Sequence, residues 1–403
     1  MLKTVALSVG ITEVPESWER YYDEAMADMP ERIPFLQEDH FERLRQHVLL
    51  SDQHVAWIQA AMKTIREHES LRTLAWLWHT ICYRKVDTAG LSTWPIPNVP
   101  GSEPAQRFEG FPAVLLLSGY DRVMAMYRER NVPEQIIKDT LTCVHTSLTL
   151  YEVRFGYLAL GMHYMNWTQH HFNARLYMIG RLEFEMRNFS SPIRVYRHVN
   201  DGKVVALSEQ GVEFRGDGLV NGTNGRTDTE NGWTATLTET DSDVTGCPLH
   251  PGGYAERNPV TLNKQDWVLA LAPGHPVLSV HIPRKGAFTT EACRESFNDA
   301  VAFFAKHYPE FHYSAFMCVS WLLDPQLHLL LDESSNLLQF QNWYQLYPVK
   351  SDDVALYQFV FQCQPCETEK LPETTSLQRK IKQFMLSGER LHAAGGFAFP
   401  PFE

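Results

Sequence analysis

The chain has 403 residues, room for two domains of ordinary size. Hydrophobic residues make up 44% and charged residues 21%, with 10 Trp, 22 Phe and 16 Tyr, enough bulky apolar surface for two cores and too much for a disordered chain. A formal net charge of −12 argues against a general nucleic-acid or anionic-membrane surface, while leaving room for one local basic site.

The N-terminus reads as non-secretory, since Lys3 precedes only a short apolar stretch and acidic residues arrive by Glu13. The apolar run Phe111–Leu117 is far too short to span a bilayer. Seven cysteines, an odd number, do not make a complete disulfide framework. The expectation is a reduced, cytoplasmic protein.

In chain order, the first part reads helical. Glu16–Met29 is rich in helix formers. Ser51–Tyr83 reads as one long helix behind a Ser51-Asp52 cap. Trp94–Gly101 is a proline-rich loop, and Val132-Pro-Glu opens another helix. Helical character continues toward Leu176. The texture then switches to period-two alternation in Arg181–Met186 and Ile193–Val199, continuing through Val204–Phe214, Trp233–Thr240, Trp267–Leu271 and Val277–Ile282. Asn and Gly turns between these runs predict an antiparallel meander of about four to six strands. A helix over Glu291–His307 follows, then a buried strand over Phe311–Leu323 and a helix over Ser334–Tyr344. A strand-like Tyr357–Cys363 and a last helix, Ser376–Leu386, complete the series. The fold class expected is α+β, with a helical domain over 1–176 and a mixed or antiparallel sheet flanked by helices over 177–403.

One segment carries the most chemistry. The strand Val277–Ile282 runs into Pro283-Arg-Lys-Gly-Ala-Phe and straight on into a helix start at Thr289-Thr-Glu. The first N–H groups of a helix lack internal partners and carry partial positive charge. Gly286 permits close approach, and Arg284 and Lys285 add full charges, so a pyrophosphate suits this turn. A capped helix after an ordinary turn is the plainer alternative.

This strand–loop–helix, followed by Phe311–Leu323 and Ser335-Asn-Leu-Leu-Gln-Phe-Gln-Asn-Trp-Tyr, resembles the core of the GNAT acetyltransferase fold. The whole chain is similar to a bacterial family of acyltransferase-domain proteins with a helical N-terminal domain and a GNAT-like C-terminal one. Gly180-Arg-Leu-Glu-Phe-Glu, Val280-His-Ile-Pro, Glu291-Ala-Cys-Arg-Glu-Ser-Phe, Cys318-Val-Ser-Trp-Leu-Leu-Asp-Pro and Val132-Pro-Glu-Gln-Ile carry that likeness. The resemblance implies direct acyl transfer from acetyl-CoA or another acyl-CoA to a small-molecule or peptide amine. Nucleic acid, membrane and metal have no part in it. It implies that the strand before the loop splays from its neighbour, so that backbone groups at Val280 and Ile282 hold the thioester carbonyl and pantetheine. Arg284–Ala287 would hold the pyrophosphate, with Asn336 opening the later helix. Two positions depart from the family pattern: Pro283 replaces Gln or Arg, and Phe288 replaces a small residue. The family's tyrosine acid, counted from Asn336, falls on Trp343, which leaves Tyr344 one residue on. A GNAT-like module that binds or senses without catalysis is the alternative reading.

Other candidates stand on residue type alone. His281, in the strand, is a natural general base for an ammonium acceptor, or else a solvent-facing strand residue. Cys318 and Ser320 share one face of the next strand, where a Cys nucleophile would be covalent and a buried Cys inert. Glu183 and Glu185 also share a face, either to bind a cationic acceptor or as a solvated strand surface. The lone Cys363-Gln-Pro-Cys366 lacks the second pair a zinc ribbon needs.

Overall fold

The computed structural model describes residues 1–402, which divide into two units, 1–178 and 179–402. The strand Leu176–Ile179 runs across the division.

The first unit is helical. The expected single helix over Ser51–Tyr83 is instead two, Asp52–Glu67 and Glu69–His79, because His68 takes extended dihedrals between them. The Ser51 side chain does cap the first, accepting from the His54 N–H at 3.2 Å. Beyond His79 the turns widen over Thr80–Lys85 and end at Val86, which sits at φ 56°, a strained value for a β-branched residue. The core forms around Trp78, whose ring lies 5.4 Å from Trp18, 5.0 Å from Trp94 and 5.1 Å from Phe111.

The second unit is α+β. Its main sheet contains β1 (Leu182–Asn188), β2 (Pro276–His281), β3 (Phe316–Ser320), β4 (Gln345–Pro348) and β5 (Ala394–Ala398), in the order β1-β2-β3-β5-β4. All neighbours are antiparallel except β2 and β3. Residues 193–271 form the expected meander, but in shorter pieces, grouped into sheets of five, three and two strands. Asn and Gly turns cut the runs read from the sequence.

Among the helices of this unit are α1 (Thr290–His307), α2 (Asn336–Gln341) and α3 (Ser376–Leu386), the last packed against the helical turns of 354–361. Thr375 and Gln378 close a reciprocal capping box on α3. The expected strand over Phe311–Leu323 shrinks to β3, and Trp321–Leu323 is a tight helical turn that Ser320 caps. The strand-like Tyr357–Cys363 is helical and ends at Gln362, φ 56°. Beneath α1, Phe297 packs against Phe184 of β1 and Phe316 of β3 at 5.7 and 5.1 Å. On the opposite face Val277, Met317, Phe397 and Tyr347 join the meander's core.

Candidate active site

The site begins with a register. β2 and β3 run parallel, yet they pair only at Leu278 with Phe316 and Ser279 with Met317. Each strand continues beyond that point on its other side. β2 pairs with β1 up to His281 opposite Glu183, and β3 pairs with β5 up to Ser320 opposite Ala394. A wedge therefore opens between β2 and β3 toward their C-terminal ends. The Leu278 N–H donates to the Ala315 carbonyl at 3.1 Å, so it points toward β3. Strand groups repeat with period two, which turns the Val280 backbone toward the wedge as well. Ile282, one residue past the end of β2, follows in the same alternation.

The turn 283–288 leaves β2 at the broad end of the wedge and delivers the chain to α1. Arg284, Lys285, Gly286 and Ala287 are exposed, with Gly286 at φ 62°. Thr289 caps α1, its hydroxyl accepting from the Ala292 N–H at 3.2 Å. Asn336 lies beside this helix start, its Oδ1 accepting from the Thr290 hydroxyl at 3.4 Å. The start of an 18-residue helix is thus flanked by two exposed cationic residues.

Beneath the turn lies Arg181, to which the sequence reading gave no role. Its Nη1 donates to the Pro283 carbonyl at 2.8 Å and its Nε to the Ala287 carbonyl at 3.2 Å. The guanidinium also sits 5.1 Å from the centre of the Phe288 ring, and burial pulls its pKa down. Phe288 packs on Phe340 as well, at 5.2 Å, so the bulky residue in the loop is seated in the protein. Gly180, at φ 62°, is the local signal: a Cβ there would come within 2.6 Å of the Ser296 hydroxyl.

The expected solvated strand face of Glu183 and Glu185 is corrected by the structure, since these residues are only 6% and 4% exposed. Directly opposite residues of an antiparallel pair share a face, so Glu183, Glu185, Ser279 and His281 lie together. His281 Nε2 is 3.3 Å from Glu185 Oε2, and Arg187 approaches the same carboxylate at 3.8 Å.

Cys318 and Ser320 lie on the other face, the one α1 covers. Cys318 is fully buried and burial pushes its thiol up to about 12, so at neutral pH it offers no thiolate for a covalent step. Ser320 accepts from the Leu322 N–H at 3.1 Å, a capping role. Tyr344 is buried beside Phe297 and Phe340. Its hydroxyl has no hydrogen-bond partner among the described residues. Burial, with the Cys318 and Cys293 thiols nearby, holds its phenol well above the usual value. The residues expected to be catalytic are therefore divided: His281 on one face, and Tyr344 with Cys318 and Ser320 on the other.

Cys82, Cys143, Cys247, Cys293 and Cys318 are buried free thiols, and Cys366 is an exposed one. Among the described residues no cluster of three or more His, Cys, Asp or Glu could hold a metal, and no helix is long and apolar enough to cross a membrane.

The GNAT-like C-terminal domain pattern matches residues 176–398, more than half of the chain. The chain belongs to that family. The N-acyltransferase N-terminal domain pattern matches residues 39–174 in addition. Among solved structures, this GNAT-like chain is similar over 99% of both chains to a mutant acyltransferase in complex with octanoyl-CoA, at 20% identity and a TM-score of 0.67. It is similar over the same share to an acyltransferase in complex with decanoyl-CoA, at 19% and 0.66, and to one in complex with CoA and 10C-teicoplanin, at 20% and 0.64. At such identities the likeness is one of fold. No curated protein matches the chain.

Proposed function

We propose that this protein is an acyl-CoA-dependent N-acyltransferase that moves an acyl group directly from the thioester to an amine. The observation that carries the reading is the wedge between β2 and β3, which ends at a basic turn and a helix start. A thioester donor needs the two features this supplies. Strand N–H groups at Val280 and Ile282 offer hydrogen bonds to the acyl carbonyl and the pantetheine arm, and donors fixed in advance stabilise a developing oxyanion. The turn Arg284–Ala287 and the first turn of α1 offer N–H groups and positive charge to the diphosphate. The solved structures of similar fold hold octanoyl-CoA, decanoyl-CoA or CoA, which supports the same donor class here.

The chemistry forms one bond, from the acceptor nitrogen to the acyl carbon, and breaks one, from that carbon to sulfur. His281, beside Glu185, takes the proton the amine sheds, and Glu183 and Glu185 favour a cationic acceptor. Tyr344, which burial keeps protonated, supplies the proton to the departing thiolate. Holding both substrates in one site contributes much of the acceleration. Two structures of similar fold hold teicoplanin or its 10C form, which supports a small-molecule or peptide acceptor. Cytoplasmic placement suits a CoA-dependent reaction.

Pro283 and Phe288, where the family pattern has a polar and a small residue, favour a second reading, a module that binds without transfer. Thermal denaturation with CoA and acetyl-CoA, followed by thiol release over an amine panel, separates the two. A ligand at a hundred times its Kd stabilises the native state by about 2.7 kcal/mol, a plain rise in Tm. No rise at millimolar CoA sinks both readings. A rise with no turnover selects the binding module. In the double variant Arg284→Ala, Lys285→Ala, CoA should bind more weakly while the ligand-free Tm holds. Unchanged affinity places the diphosphate elsewhere.

A further inference from the structure

We infer that Arg181 is a positioning residue that sets the shape of the diphosphate turn. The inference rests on the acyl-CoA reading above. Arg181 directly precedes β1, and its backbone N–H donates to the Ser296 hydroxyl of α1 at 2.6 Å, which ties the residue to the helix that follows the turn. From this anchor its side chain reaches both ends of the turn, the Pro283 carbonyl at 2.8 Å and the Ala287 carbonyl at 3.2 Å.

Two consequences follow from peptide geometry. A carbonyl oxygen repels a phosphate, and here both are turned onto a guanidinium. A trans peptide points its N–H opposite its C=O, so the N–H groups of Arg284 and Phe288 are directed away from Arg181, toward the open side of the turn. The arginine thus holds two acceptors inward and leaves the Arg284 and Phe288 donors outward, while the Lys285 N–H joins it on the Pro283 carbonyl at 2.9 Å, and it adds a partly buried positive charge under the anion. A planar fork bridges two acceptors at a fixed spacing, which a lysine ammonium on a flexible stem does not reproduce. Phe288 closes the arrangement by lying against the guanidinium at 5.1 Å.

The test compares two donors that share the acyl group and differ in the diphosphate: acyl-CoA and the matching acyl-pantetheine thioester. Losing the fork frees two carbonyls to face the diphosphate and, in the alanine variant, removes a positive charge beneath it, which weakens binding on the order of tenfold or more. Arg181→Lys is expected to raise the calorimetric Kd for CoA, and the KM for acyl-CoA, by about tenfold or more. It should leave kcat at saturating acyl-CoA, and kcat/KM for acyl-pantetheine, close to wild type. Arg181→Ala should enlarge the same split, and Arg181→Lys keeps the charge and fold if the alanine variant is unstable. Equal losses with both donors would mean a structural role only and overturn the inference. Unchanged CoA affinity in Arg181→Lys, beside a wild type that binds CoA, overturns the inference while sparing the reading beneath it. A wild type that binds no CoA removes both.

Discussion

Replacing Tyr344 by Phe should make the protein more stable and less active. The phenol is buried, its ring 5.4 Å from Phe340 and 6.4 Å from Phe297, and its hydroxyl has no partner among the described residues. A buried hydroxyl left unsatisfied costs about 1–3 kcal/mol. Phe keeps every ring contact and removes that cost, so a gain of about 1 kcal/mol is expected, about 2–4 °C in Tm for a domain of this size. If the same hydroxyl protonates the departing thiolate, its loss lowers kcat by about a hundredfold, the low end for general acid catalysis. Calorimetric melting without ligand gives the first number, and thiol release under saturating substrates gives the second. A destabilised Tyr344→Phe would show that the hydroxyl has a partner after all, and an unchanged kcat would remove Tyr344 from the proton path.

Glu185→Gln keeps the shape beside His281 and deletes the charge, so kcat/KM should fall by about tenfold or more in a steady-state assay. Wild-type kinetics would leave that carboxylate with a structural role alone. Gly395→Ala should destabilise the second unit by about 1–3 kcal/mol, since the new Cβ would come within 2.2 Å of the buried Tyr347 ring; denaturant unfolding checks it, and an unchanged midpoint contradicts it. His79, packed against both Phe35 and Trp76, has its pKa drawn down by burial to about 3. The unfolded chain then binds the proton first. The stability this neutral imidazole contributes is whole above about pH 6.5 and is lost toward pH 3, at up to about 1.4 kcal/mol per pH unit. His79→Asn should flatten that acid limb in a pH series of melts, and an unaltered slope would assign the acid sensitivity elsewhere.

The sequence made the strand–turn–helix legible because its signals are local: an alternating run, a basic glycine turn and a Thr cap. The helix Ser376–Leu386 was readable for the same reason. Tyr357–Cys363 misled because a short apolar run looks the same in a strand and in a buried helix turn. β5 was overlooked because Ala-Gly-Gly-Phe-Ala has no β-branched residue; its glycines answer instead to the Tyr347 and Tyr344 side chains packed against them. Periodicity placed Glu183 and Glu185 on one face but said nothing of what covers it, and their burial is a tertiary fact. Arg181 lay inside a recognised motif, yet its partners are carbonyls about a hundred residues away, and no spacing rule reaches them.

Because β2 and β3 touch through so short a ladder, the main sheet is in effect two leaves joined along a brief seam. Backbone bonding holds each leaf together, but across the seam the cohesion falls mostly to aromatic packing. Phe297 acts as the rivet, with Phe184 from one leaf, Phe316 from the other, and Phe402 stacked on it at 4.2 Å. Amides that face the wedge beyond Ser279, Val280 among them, should therefore exchange with solvent faster than the β2 amides paired with β1.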